Sequence, residues 1–80
     1  MQREKTAEKT KIIFEKIFGS LPDFGDQTSA DDIYKWDSLN HVILIQELEK
    51  EFGMDFDLFE IIEIRDAGGI IDYIHSKVEA

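Results

Sequence analysis

Apolar residues recur at three- and four-residue spacing in three separate stretches of this chain, each carrying its own start or stop signal. No other feature constrains the fold as much. The first stretch predicts a helix from about Gln2 to Phe18, ended by Gly19 with Pro22 soon after. Its inward face is Ala7, Thr10, Ile13, Phe14, Ile17 and Phe18, while Glu4–Glu8, Lys5–Lys9 and Lys11–Glu15 fall on the wet side. The second stretch predicts a helix from Asp37 or Ser38 to near Phe52, stopped by Gly53. Asp37 suits the N-cap, a role worth about 1 kcal/mol over alanine. The third, "RDAGGIIDYIHSKVEA", predicts a last helix capped by Asp66, with Ala67, Ile70, Ile71, Ile74 and Val78 inward. Gly68 and Gly69 weaken its first turn by about 1 kcal/mol each relative to alanine, and they leave room for a neighbouring backbone. A shorter helical segment is expected near Leu58–Ile64. No strand alternation or repeat is present. The expected fold is all-α: a small bundle of three main helices plus a short extra helical segment, with a long ordered loop between the first two main helices.

That loop, "GSLPDFGDQTSADDIYKWD" over residues 19–37, has no sustained period. Connections of this length inside a small domain are uncommon and are ordered for a reason. Leu21, Phe24, Ile33, Tyr34 and Trp36 are expected to plug it onto the core, and "SADD" (Ser29 to Asp32) to open a single helical turn as a partial capping box.

Eighty residues make one domain, residues 1–80, and 42% hydrophobic residues with nine aromatics supply a modest core. With no cysteine, neither a disulfide framework nor a thiolate zinc site can brace the chain. No apolar run approaches the roughly 20 residues of a membrane span, and the N-terminal segment lacks a signal-peptide apolar core. A soluble, cytoplasmic protein is the expectation. The net charge is −9 and is unevenly spread: residues 1–18 hold five Lys/Arg against three Glu, so the rest of the chain carries −11. Such a surface repels nucleic acid and anionic lipid and steers toward basic patches on partners.

On a wheel at about 100° per residue, the second helix has two apolar sectors. Leu44, Ile45, Leu48 and Phe52 form a core face. Leu39, Val42 and Ile43 lie on the side of Ser38, sharing their sector with Gln46, Glu49 and Lys50. An aliphatic patch with a polar rim points to a partner-binding surface, although packing of Val42 and Ile43 beneath the long loop accounts for the same pattern. A hydrolytic triad of Ser38, His41 and Asp37 is disfavoured, because catalytic groups are defined by spatial roles and no oxyanion-stabilising loop is recognisable. His41 is expected to be partly buried and hydrogen-bonded, and His75 to lie on the surface. "DFDLFE" and "DFGDQTSADD" lack the alternating ligands, central glycine and closing glutamate of a calcium loop.

The string "DSL" (Asp37-Ser38-Leu39), an apolar-rich helix behind it and "EFG" together resemble the modification site of acyl carrier proteins. The resemblance extends over nearly the whole chain: "IIFEKIFG", the long loop, "DDIYKWDSLNHVILIQELEKEFGMDF" and "DAGGIIDYI" follow that family's order and spacing. It implies that Ser38 is the attachment point of a 4'-phosphopantetheine arm taken from coenzyme A by a separate phosphopantetheinyl transferase, which typically supplies Mg²⁺. Acyl or aminoacyl groups would then ride on the arm's thiol as thioesters. Leu39, Val42, Ile43 and Gln46 would meet partner enzymes, with Glu47, Glu49, Asp57, Glu60 and Glu63 facing their basic docking patches. The chain would be a monomeric, non-catalytic carrier, with acyl-loading and acyl-processing enzymes as partners. Asn40 and His41 after "DSL", Gln46 and Lys50 depart from the pattern of many fatty-acid carriers, and Trp36 before Asp37 looks more like stand-alone or modular carriers of polyketide and nonribosomal-peptide pathways, so the resemblance leans to specialised metabolism over bulk fatty-acid synthesis. A loaded chain is expected to shelter in part between the second helix and the segment of Ile61, Ile62 and Ile64. The competing expectation is an acidic helical interaction module that is never modified and binds through Leu39, Val42 and Ile43.

Overall fold

Four helices account for the regular structure of the computed structural model, which describes residues 2–79: α1 (Arg3–Phe18), α2 (Ser38–Phe52), α3 (Leu58–Ile61) and α4 (Ala67–Val78). Among the described residues there is no strand, only an isolated bridge between Ser29 and Asp66. The fold is the small all-α bundle expected from the periodicity.

The ends of the helices follow from local chemistry. Asp37, Asp57 and Asp66 cap α2, α3 and α4, each carboxylate accepting from a backbone N–H of the first turn: Asn40, Phe59 and Gly69. At the far end of α2, Gly53 takes a left-handed conformation (φ 62°, ψ 38°) that an L side chain resists, and its N–H bonds Glu49 O. α3 stops after one turn, three residues short of the expected Ile64. The carbonyl of Ile61 accepts from Ile64 N–H (3.1 Å) and faces His41 Nε2 (3.3 Å), so it does not continue the helical ladder.

Phe14 lies at the centre of the core, fully buried, with the rings of Phe24 and Trp36 each 5.0 Å away and Trp36 nearly perpendicular to it at 86°. Leu44 and Leu48 of α2, Ile61 of α3, and Ile70 and Ile74 of α4 complete the buried cluster. Thr6 and Thr10 lie on the buried face of α1 as well; the Thr10 hydroxyl returns to Thr6 O at 2.7 Å, which satisfies it inside the bundle.

The long loop is pinned from both sides. Ile33 and Trp36 are buried and Leu21 and Phe24 half-buried, but Tyr34, expected as a plug, is fully exposed. The turn closed by Trp36 N–H on Ile33 O sends Ile33 and Trp36 inward and leaves Tyr34 and Lys35 between them outside. "SADD" forms a turn and no helix: Ser29 N–H bonds Asp32 Oδ2 (3.0 Å) and Asp32 N–H bonds Ser29 O (2.9 Å). Backbone bonds then seam the loop to the start of α4: Ala30 N–H to Arg65 O, Ala67 N–H to Thr28 O and Gly68 N–H to Asp26 O. Gly68 is required at this seam, since a Cβ there would sit 2.7 Å from Asp26 O. Arg3 ties the same corner from outside, pairing with Asp72 at 2.7 Å and Asp26 at 3.1 Å.

Candidate functional site

The hydroxyl residue at the mouth of α2 is held from beneath. Asp37 Oδ1 accepts from Asn40 N–H at 2.9 Å, and Asn40 Nδ2 donates to Lys35 O at 2.7 Å, fastening the first turn to the incoming loop. Ser38, the first residue of the helix, is exposed. Its N–H and that of Leu39 make no hydrogen bond among the described residues, as befits first-turn donors that no earlier carbonyl can reach. Two backbone donors and the positive end of a 15-residue helix therefore converge beside an accessible hydroxyl.

His41, one turn further on, is entirely buried rather than partly so. Its Nδ1 accepts from Trp36 Nε1 at 2.8 Å, while Nε2 lies 3.3 Å from Ile61 O. Indole can only donate, so Nδ1 carries the lone pair and Nε2 the proton. Burial holds the imidazole below its usual pKa, and the nearby charge of Arg65 adds to the effect. Both nitrogens are thus committed inward and neither serves Ser38. His75 is half-buried, not simply superficial, with Nδ1 3.5 Å from Thr6 Oγ1.

Of the aliphatic group beside Ser38, Leu39 is 71% exposed and Ile43 38%, with Val42 half-buried. The core sector of the same helix, Leu44, Ile45 and Leu48, is buried. Through the His41–Ile61 contact α3 lies against the first turns of α2, and it exposes Leu58 and, at 91%, Phe59. Sequence reasoning passed over this pair. The signal available was the Asp57 cap, which starts a helix too short to bury more than one of its side chains.

The acidic residues differ in how free they are. Glu47 is paired with Lys16 at 3.1 Å and lies near Lys50, and the Lys16 hydrogen bond holds its carboxyl below the usual range. Glu49 turns inward, accepting from Phe56 N–H at 2.8 Å, so it closes the α2–α3 connection. Asp57 caps α3, and Glu60 accepts from the Tyr73 hydroxyl and lies near Lys77. Gln46 and Glu63 are exposed. Ser38 lines neither of two open depressions, one of about 760 Å³ along the loop at Leu21, Phe24 and Ile33, the other of about 500 Å³ around Met54 at the end of α2.

No group of three or more His, Asp or Glu residues among those described is placed to hold a metal ion. No helix among the described residues is long and apolar enough to cross a membrane. No protein-family model matches the chain, and no curated protein is significantly similar to it.

Proposed function

We propose that this chain is an acyl carrier protein, modified at Ser38 by a 4'-phosphopantetheine arm. The observation that carries this reading is the exposed Ser38 hydroxyl at a capped helix mouth, beside the exposed Leu39 and Ile43. The site suits the group. The unpaired N–H groups of Ser38 and Leu39 can bond a phosphodiester oxygen, and the helix terminus favours its negative charge by about 0.3–1 kcal/mol at a surface. The Asp37 carboxylate opposes that attraction and turns the attached group outward. In the loading step Ser38 Oγ forms a phosphate ester with the pantetheine half of coenzyme A, its proton passes to a base of the transferase, and the nucleotide half leaves. The arm supplies the thiol that the cysteine-free chain lacks.

Carrying acyl or aminoacyl thioesters between enzymes requires a docking face, and the Leu39, Val42 and Ile43 patch fits that use. Leu58 and Phe59 extend it onto α3. Around them Glu47, Asp57, Glu60 and Glu63 supply charge that sets encounter rate and partner choice more than affinity. Glu49, bonded inward to Phe56, contributes less to that face than the others. Trp36 before Asp37 resembles carriers of polyketide or related specialised metabolism and supports a carrier of that kind, and a cysteine-free chain fits work in the cytoplasm.

Intact-mass measurement after incubation with coenzyme A, Mg²⁺ and a broad-specificity phosphopantetheinyl transferase tests the proposal. The wild type gains one arm and Ser38→Ala gains none. Failure of the folded wild type to react with two unrelated transferases overturns it, and leaves the unmodified interaction module as the reading of the same patch.

A further inference from the structure

We propose that His41, held between Trp36 and Ile61, is a specificity-determining plug that keeps a loaded acyl chain out of the bundle and suits this carrier to short or polar groups. The plug presupposes the arm on Ser38 and concerns what the arm carries. The buried stripe of α2 is His41, Leu44, Ile45 and Leu48, and His41 is the member nearest Ser38. A chain folding back from the arm between α2 and α3 therefore meets the imidazole first. His41 is fully buried and Trp36 nearly so, and the ring bridges the end of the long loop, the first turn of α2 and the last residue of α3. Behind it Leu44, Leu48, Ile61, Ile70 and Ile74 are completely buried.

What distinguishes this plug from an aliphatic one is its polarity. Trp36 Nε1–H points at Nδ1 from 2.8 Å, and Nε2–H faces Ile61 O at 3.3 Å. A chain can pass only if the ring swings aside or α3 moves off. In the first case the indole N–H loses its acceptor and faces methylenes. The indole cannot follow the ring, because Phe14 and Phe18 of α1 pack on it at centroid distances of 5.0 and 6.1 Å. In the second case the imidazole Nε2–H is the orphan; Ile61 O keeps the Ile64 N–H at 3.1 Å, but hydrocarbon offers the ring nothing.

Either route thus buries an unpaired N–H against the incoming chain, a loss that displacing a leucine or isoleucine would not incur. The expected shelter beneath Ile61 is closed by a group that hydrocarbon cannot replace. A loaded chain stays in water or lies across the exposed Leu39 and Ile43. Each added methylene left in water is unfavourable, which sets the cargo toward short or polar groups.

The full chain loaded from acetyl- or octanoyl-coenzyme A by a broad-specificity transferase provides the test. Intact mass comes first: a chain that takes no acylated arm sinks the Ser38 reading, and the plug with it. On loaded wild type, the methyl signals of Leu44, Ile61, Ile70 and Ile74 and the Trp36 indole N–H signal should be the same with octanoyl as with acetyl. Shifts confined to Leu39 and Ile43 place the chain outside and agree with the plug. Hydroxylamine cleavage of the octanoyl thioester, relative to acetyl and corrected by the free acyl-pantetheines, should slow by less than about twofold, since a chain sheltered about 90% of the time would slow it about tenfold. In His41→Ala the indole has already lost its acceptor, so entry of the chain orphans nothing further and fills the gap left by the ring. There octanoyl should move the Ile61 and Ile70 methyls and slow cleavage at least about threefold more than in wild type. Core shifts on octanoyl loading of the wild type, a wild-type slowing beyond twofold, or a folded His41→Ala short of that threefold would each overturn the plug; should the variant not fold, the wild-type comparison decides alone.

Discussion

Replacing Gly68 by alanine separates two effects of opposite sign. Intrinsic helix propensity favours the substitution by up to about 1 kcal/mol, since Gly68 lies in the first turn of α4. The structure argues the other way. The added Cβ would stand 2.7 Å from Asp26 O, 3.0 Å from Asp26 Cβ and 3.2 Å from Asp26 Cα, against a backbone that the Gly68 N–H···O bond and the Arg3–Asp26 ion pair hold in place. Overpacking of this kind costs about 1–3 kcal/mol, and forcing the seam apart weakens a backbone hydrogen bond worth about 1 kcal/mol. The net expectation is a loss of about 1–3 kcal/mol, or a fall in Tm of about 4–20 °C for a domain of this size. Gly69→Ala is the internal control. There the near atoms belong to side chains and not to backbone, Ile64 Cγ2 at 2.7 Å and the Asp66 carboxylate at 3.1 Å, so the change should cost less than Gly68→Ala. Urea unfolding of the three proteins, with m-values checked for constancy, measures both. A Gly68→Ala protein as stable as the wild type, or more so, would refute the claim that the loop backbone rests rigidly on α4.

Other perturbations probe the helix mouth and its flanks. Asp37→Ala should lose about 1 kcal/mol in urea unfolding while Asp37→Asn loses less, because an amide oxygen can still accept from Asn40 N–H. Phe59→Ala should change stability by no more than about 0.5 kcal/mol, whereas Ile61→Ala, two residues on and fully buried, should lose about 2–5 kcal/mol by the same assay. Because the Lys16 hydrogen bond lowers the Glu47 pKa, the pairing stabilises the fold above the ordinary carboxylate range and is lost as pH falls through the folded value. Carboxyl ¹³C titration should therefore show the Glu47 midpoint rising in Lys16→Met, and an unmoved midpoint would count against that pairing.

The helices were legible because each is written by short-range rules. Asp37, Asp57 and Asp66 each precede a helix, Gly19 and Gly53 follow one, and the stripes of Phe14, Leu44, Leu48, Ile70 and Ile74 share one period. The loop was legible in part. Its aromatic and aliphatic content marked it as packed, but which side chains turn inward depends on the individual turns, and the one at Ile33–Trp36 puts Tyr34 outside. The surroundings of Ser38 divide in the same way. Its exposure and its cap follow from position on the helix, whereas the burial of His41 depends on Trp36 and Ile61, which meet it only in three dimensions. Glu49 looked like a rim charge on the wheel and instead serves the Phe56 N–H across the turn after α2. Thr10 was legible as an inward residue from its spacing and its hydroxyl finds an acceptor within its own helix, whereas the burial of Thr6 one turn earlier is not recorded by a polar-versus-apolar pattern.

The seam between residues 26–30 and 65–68 joins parts of the chain roughly forty positions apart. During synthesis this side of the loop consequently has no backbone partner until α4 has left the ribosome, and contacts of such long range are slow to form. The segment leading into Ser38 thereby reaches its folded shape only after α4 has been made, and any enzyme that recognises that shape acts after that point.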